Sequence, residues 1–224
     1  MAFSPASKNR LTEHDLGRFG GGTLLARIGR AACRARCLPR KELYEAWETA
    51  RRVRRIFRGG RVVDLGGGHG LVAAILLILD DTSPTALVVD PAIPASAERL
   101  RAALVSDWPR LDTRMAFVNG AADAVTLGSD DLVVSVHGCG ALTDLALARA
   151  VSARARVAVL PCCHDRDTCD PGGLEGWMDT ALAIDATRAA RLALAGYRVR
   201  TQTIAASITP KNRLLLGQPR EPTM

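Results

Sequence analysis

Short apolar runs alternate with helical patterns along most of the chain. The runs typical of buried strands lie at 61–65, 86–90, 115–119, 131–136, 157–161, 197–207 and 213–217. Helical patterns lie between them, at about 70–80, 95–106, 142–152 and 174–195. Strands that alternate with helices are typical of a parallel, doubly wound sheet. Only the last two runs are joined by a short link, which predicts an antiparallel pair.

The pattern therefore predicts the α/β class: a Rossmann-like, doubly wound, seven-stranded and mostly parallel sheet, with a terminal antiparallel hairpin and an N-terminal helical extension. In the extension one apolar stripe recurs at helical spacing: Leu43, Trp47, Ala50, Val53 and Phe57. Residues 1–22 carry no periodicity. We expect a flexible arm at 1–22, the helical extension at 23–58 and the sheet domain at 59–219.

A glycine-rich turn follows the first strand. It contains Asp64, Gly66, Gly67, Gly68 and Gly70. Glycines let the backbone approach a ligand closely, and Asp90, which ends the next apolar run, is placed to accept hydrogen bonds from ribose hydroxyls. This pairing predicts a site for a nucleoside-bearing cofactor.

The glycine spacing decides between cofactors. Leu71 stands where a dinucleotide fingerprint needs its third glycine, and no phosphate-binding lysine of a P-loop follows. The D-L-G-G-G-x-G segment resembles motif I of class I S-adenosylmethionine (SAM) methyltransferases. The resemblance implies that SAM is the cofactor and that the loop holds its amino-acid end. It also implies that Ala122 and Asp123, after the third strand, contact adenine, although a simple turn is the alternative there.

Two further strand ends carry thiols and imidazoles. The fourth strand leads to His137 and Cys139, and the fifth leads to Cys162, Cys163 and His164. Ligands bind at the carboxyl ends of the strands in such sheets, and these two strands are neighbours in the predicted topology. We therefore expect the two groups to converge beside the transferred methyl group.

The segment H-G-C-G-A-L-T-D from His137, followed by C-C-H from Cys162, resembles a particular methyltransferase group. It is the group with H-x-C-G-x-x-T-D and C-C-H or C-C-Y motifs. It includes tRNA 2′-O-methyltransferases of the acceptor stem and domains attached to glutathione-transferase-like proteins. The resemblance implies a SAM-dependent methyltransferase, with His137 also near the cofactor, and favours tRNA or rRNA as substrate.

Three uses of the thiol cluster stay open. In the first it is structural, with His137, His164 or Asp165 as general base for a hydroxyl acceptor. In the second, Cys162 or Cys163 is a nucleophile that adds to a pyrimidine ring. The third use is zinc binding, but adjacent cysteines chelate one metal poorly and the paired C-x₂-C spacing is missing, so no metal site is predicted.

The positive charge of the chain bears on which substrate it binds. The net charge is +7, and the densest basic cluster, at 51–61, contains Arg51, Arg52, Arg54, Arg55, Arg58 and Arg61. Such a patch beside the sheet would suit RNA. A small-molecule acceptor is equally permitted, and a non-catalytic SAM-binding or metal-binding regulatory module is a further alternative. With neither a membrane-spanning run nor a signal peptide, a cytoplasmic protein is expected; the sequence indicates no oligomeric state.

Overall fold

The computed structural model describes residues 3–221, and its centre is one seven-stranded sheet of order β3-β2-β1-β4-β5-β7-β6. The strands are β1 (Val62–Leu65), β2 (Ala86–Asp90), β3 (Met115–Asn119), β4 (Leu132–Val136), β5 (Arg156–Leu160), β6 (Tyr197–Thr203) and β7 (Arg213–Pro219). The helices are α1 (Leu24–Ala35), α2 (Arg40–Ile56), α3 (Leu71–Leu79), α4 (Ala97–Asp107), α5 (Leu111–Arg114), α6 (Ala141–Ala153) and α7 (Thr180–Leu194).

The topology confirms the predicted α/β class. Strands β1 to β5 pair in parallel, and β7 pairs antiparallel with both β5 and β6. Strand β6 ends earlier than expected, at Thr203 rather than residue 207. Its pairing stops opposite Arg213, where the Ile204 amide donates to the Asn212 carbonyl and the chain turns.

Burial on both faces explains the continuous apolar runs. All residues of β1 and of β4 are buried, as expected for central strands covered by helices on both sides. Helix α3 is apolar on every side and buried from Leu71 to Ile78, because it lies between the sheet and the N-terminal extension.

The N-terminal extension packs on this layer as a pair of helices. Helix α1 contacts α4 and helix α2 contacts α3. The predicted stripe is buried at Leu43, Ala50, Val53 and Phe57, with Trp47 half-buried. The stripe therefore marks the face of α2 that joins the main core.

The segment before α1 is not the free arm that we expected. Over its described part, residues 3–22, it contains a short 3₁₀ helix at Glu13–Arg18 and buries Leu11 and Phe19 at 0% and 4% exposure. The Phe19 ring lies so close to Gly29 that a Cβ there would come within 2.3 Å of it. Leu11 and Phe19 thus pack this segment onto the core, although its sequence has no hydrophobic periodicity. Residues 1 and 2 lie outside the described part.

A buried ion pair joins α2 to the end of α3. The guanidinium of Arg54 lies 3.1 Å from the Asp80 carboxylate, and the two side chains are 2% and 3% exposed. Arg54 also donates to the Leu76 carbonyl and to Ser83 Oγ. In the described residues no helix has the length and apolarity needed to cross a membrane.

Candidate active site

The glycine loop between β1 and α3 is tightly constrained. A Cβ on Gly67 would come within 2.7 Å of Val88 and 2.8 Å of the Asp64 carboxyl carbon. Gly70 has a left-handed φ of 71°, and a Cβ there would lie 2.4 Å from Met115. The loop therefore requires glycine at these positions for close packing and for its turn.

Asp64, below the loop, is a buried acid without a charged partner among the described residues. It is 1% exposed, and neither carboxylate oxygen has a hydrogen bond of normal geometry to those residues; the nearby Ala73 amide only partly offsets the effect of burial on the pKa of Asp64. Burial raises the pKa of Asp64 to about 7. Asp64 also lines a cavity in front of the loop. An unpaired carboxyl group there fits a cationic ligand group such as the ammonium of SAM.

Asp90 ties the glycine loop to the end of β2. Its Oδ2 accepts a hydrogen bond from the Gly68 amide at 3.0 Å, and its Oδ1 accepts one from the Ala92 amide at 2.8 Å. Each carboxylate oxygen has a second lone pair. The half-buried carboxylate therefore keeps the capacity to accept hydrogen bonds from ribose hydroxyls, the role predicted for it.

The cavity has a volume of about 400 Å³ and is lined by two parts of the chain. One wall is the cofactor side, formed by Asp64, the glycines 66–68, His69 and His137. The other comes from the N-terminal extension and includes Leu38, Glu42 and Ala46. The sequence left the role of the extension open; the structure places it over the cofactor loop.

His137 stands at the end of β4 with unusual backbone geometry. Its φ is 70°, a left-handed value that is costly for a residue other than glycine and is often found at functional sites. Its Nε2 lies 3.3 Å from Oε2 of Glu45 on α2, and Glu45 is 1% exposed and paired with Lys41. Burial lowers the pKa of His137 below its ordinary value, although Glu45 opposes the shift. A neutral imidazole at physiological pH can accept a proton.

Sequence reasoning missed Glu45. Lys41 and Glu45 stand four residues apart on α2, a spacing that usually indicates an exposed helix pair. The only hint was that the helix packs somewhere on the sheet domain.

The cysteines at the two strand ends do converge. Sγ of Cys139 lies 3.5 Å from Sγ of Cys162 and 3.4 Å from Sγ of Cys163, and the latter two are 3.7 Å apart. Cys139 and Cys163 also form a parallel β-bridge. Burial and the neighbouring thiols raise the pKa of Cys162, and burial raises that of Cys139. In this state both are thiols at neutral pH and weak nucleophiles.

His164 does not join this thiol cluster. Its side chain is 3% exposed, and its Nε2 lies 2.8 Å from the Asp185 carboxylate on α7. Asp185 also accepts a hydrogen bond from Arg213 at 2.6 Å. The imidazole therefore connects the loop after β5 to α7 and β7, away from the three thiols.

The turn after β3 lies beside Asp90, since the Gly120 amide donates to the Asp90 carbonyl. Ala122 in that turn is buried at 8% exposure. Asp123 is exposed and lines a separate depression that also includes Arg149. The adenine contacts of Ala122 and Asp123 stay predictions.

Several solved structures that share this fold are methyltransferases. A proposed O-methyltransferase from Nostoc punctiforme has a TM-score of 0.53 and 18% identity, covering 96% of this chain and 69% of that one. The mitomycin 7-O-methyltransferase has a TM-score of 0.53 and 18% identity, covering 94% of this chain and 64% of that one. A tRNA methyltransferase from B. subtilis has a TM-score of 0.51 and 13% identity, covering 78% of this chain and 66% of that one. The chain thus spans 64–69% of the length of these three structures.

No curated protein is significantly similar in sequence. Residues 42–166, which are more than half of the chain, match a family described as a methyltransferase domain. That region contains the glycine loop, both acids, His137 and the three clustered cysteines. The chain therefore belongs to this methyltransferase-domain family, and its sheet has the class I methyltransferase fold.

Proposed function

We propose that this enzyme methylates a hydroxyl group of a small-molecule acceptor. The observation that carries the proposal is the two-walled cavity, in which the cofactor loop and His137 face the N-terminal extension. An acceptor that enters there contacts protein on two sides, as a small molecule in a cleft does.

The residues of the cofactor side fit SAM. Asp64 would face its ammonium group, the glycine loop would lie along its amino-acid part, and Asp90 would accept hydrogen bonds from its ribose. When bound, SAM supplies a methyl group on a sulfonium, which is an electrophile that needs no redox chemistry. The task of the chain is then to hold the acceptor oxygen in line with that methyl group.

His137 is the general base in this proposal. It lies at the end of β4, lines the cavity and is held in its strained conformation beside Glu45. A neutral imidazole would take the acceptor proton as the oxygen attacks, and the Glu45 carboxylate would stabilise the resulting imidazolium.

The basic segment at 51–61 is a weaker argument for RNA than its sequence suggested. Five of its six arginines are paired with acids of the same chain: Arg51 and Arg52 with Glu48, Arg54 and Arg58 with Asp80, and Arg61 with Asp131. Arg55 and Arg58 are exposed. Paired guanidinium groups contribute less to phosphate binding, so we favour the small-molecule acceptor over tRNA or rRNA.

Calorimetric titration with SAM, followed by an assay of S-adenosylhomocysteine release, tests the proposal. The acceptor panels are hydroxylated aromatic compounds in one arm and tRNA and rRNA in the other. SAM binding with turnover on a small hydroxylated compound supports the proposal. Turnover only on RNA would replace it by the RNA alternative, and binding without turnover on either panel would favour a non-catalytic SAM-binding module.

A further inference from the structure

We propose that Cys139, Cys162 and Cys163 bind a zinc ion whose open fourth position takes the methyl acceptor. This proposal rests on the methyl transfer proposed above and names the group that would hold the acceptor oxygen. The three thiols are the only set of three or more histidine, cysteine or acidic ligand atoms found within 4.8 Å of one another in residues 3–221.

The sulfur positions match a tetrahedral zinc site. Zinc–thiolate bonds of about 2.3 Å in a tetrahedron place two sulfurs about 3.8 Å apart. The observed separations are 3.4, 3.5 and 3.7 Å. Three sulfurs at these distances form a nearly regular triangle, and the ion would lie roughly 1 Å above its plane if the bonds keep that length.

The backbone explains how two adjacent cysteines reach one ion. Cys162 and Cys163 follow Pro161 at the end of β5, and Cys163 pairs by a β-bridge with Cys139 from the loop after β4. The third ligand thus comes from the neighbouring strand end. Two adjacent cysteines alone chelate a metal poorly. Here the neighbouring strand end supplies Cys139 as a third thiol, so Cys162 and Cys163 need not hold the ion by themselves.

The fourth position is open to solvent. Cys139 and Cys163 are exposed, and the nearby polar groups have other partners. His164 contacts Asp185, and the Asp165 carboxylate accepts hydrogen bonds from the Asp167 amide and from Thr168. Three protein ligands and one free position are typical of a catalytic zinc site, whereas structural sites are closed by four.

The thiol cluster is connected to the cofactor loop through the loop that follows β4. Leu142, whose amide donates to the Cys139 carbonyl, packs against Gly66, since a Cβ there would lie 2.6 Å from the Leu142 side chain. The loop after β4 begins at His137, which lines the cavity, whereas the three cysteines do not line it. An oxygen on the ion would thus lie at the edge of the cofactor site.

The chemistry balances without another reactant. Coordination to zinc lowers the pKa of a hydroxyl group, and its proton passes to His137 or to water. The oxygen lone pair forms the new bond to the methyl carbon while the bond from that carbon to the sulfonium sulfur breaks. The sulfur keeps the bonding electrons, so the products are the methyl ether and neutral S-adenosylhomocysteine.

Metal analysis of the full chain, purified under reducing conditions, tests the site. We expect one zinc per chain, and cobalt substitution should give the visible absorption of a tetrahedral thiolate site. Cys139→Ser, Cys162→Ser and Cys163→Ser should each weaken zinc binding at least about tenfold and leave SAM affinity unchanged. Cys169→Ser, in the same region but outside the thiol cluster, should keep the zinc.

The outcomes separate the two proposals. A folded wild-type chain that binds SAM but takes up no zinc, or a triple serine variant that binds zinc as tightly as wild type, overturns the metal site. Methyl transfer by zinc-free protein would overturn the proposed role of zinc in holding the acceptor, but it would leave the proposed methyltransferase function standing. Zinc binding lost in the three serine variants, together with chelator inactivation that zinc reverses, supports it.

Discussion

Nε2 of His137, at the end of β4, lies 3.3 Å from the buried Oε2 of Glu45 on helix α2. This contact joins the core sheet to the N-terminal extension at the cavity. The extension therefore contributes a charged group to the candidate active site as well as a wall.

His137→Asn should lower kcat by about 10²–10⁴ with little change in SAM affinity, because that is the usual contribution of a general base. Asparagine tolerates the left-handed backbone of this position. In the wild type, kcat should decrease at low pH as His137 becomes protonated, with a midpoint below pH 6.5 because the pKa of His137 is lowered. The variant should show no such decrease. A His14→Asn control, at an exposed position, should retain it; an identical decrease in His137→Asn would exclude the base role.

Asp64→Asn should stabilise the ligand-free protein at pH 8. Burial raises the pKa of Asp64 to about 7, so the folded state prefers the protonated acid and loses stability as pH rises from the unfolded-state value through about 7. At pH 8 the wild type holds a buried charge that asparagine lacks. We expect a gain in Tm of about 3 °C or more, since 1 kcal/mol is roughly 2–4 °C in a chain of this size. The difference should shrink steadily as the pH falls from 8 toward the unfolded-state pKa of 3.8, below which the acid is protonated in both states.

The same variant should bind SAM more weakly. In the wild type, SAM affinity should rise between pH 5 and pH 8, with release of a proton on binding, because the ammonium favours the ionised carboxylate. Calorimetry in buffers of different ionisation enthalpy measures that proton. Proton release by Asp64→Asn equal to that of wild type would assign it to another group.

Asp90→Ala should weaken SAM binding about 10- to 100-fold, the effect of losing charged hydrogen bonds of about 1.5–3 kcal/mol. The fold should persist, because Asp90 lies half-buried at a strand end and serves the loop and the ligand. Asp112→Ala, which removes an exposed acid paired with Arg101, is the matched control. Unchanged affinity in Asp90→Ala would mean that the ribose lies elsewhere.

Arg54→Met should destabilise the fold by about 3–5 kcal/mol, since it leaves the buried Asp80 without its cation. Arg55→Met, at the exposed neighbouring position, should change stability by less than about 0.5 kcal/mol. Urea unfolding of both variants measures the difference. Equal effects would show that the Arg54–Asp80 pair contributes little.

The apolar runs in the sequence were sufficient to predict the order and type of the strands. Strands β2 and β3 have the predicted bounds, because each is an apolar run that ends at a polar residue, Asp90 and Asn119, although β3 lies at the sheet edge and is only partly buried. The convergence of Cys139 with Cys162 and Cys163 was also predictable, since it follows from strand order alone.

Contacts that depend on side-chain direction were not predictable. His164 belongs to the same strand end as the thiols, yet its ring turns to Asp185. Likewise Arg188 stands three residues after Asp185 on α7, a spacing typical of an exposed helix pair, yet it is buried and makes its shorter bonds to Asp144. Leu11 and Phe19 were misjudged because two isolated apolar residues create no period, although each is buried.

The position of β7 between β5 and β6 has a consequence for the order of folding. Strand β6 is bonded to the sheet only through β7, so it has no partner until residues 213–219 have left the ribosome. Until then β5 presents an unpaired edge beside its exposed thiols. Nascent chains stalled before β7 should therefore depend on chaperones, whereas chains stalled just after it should resist proteolysis.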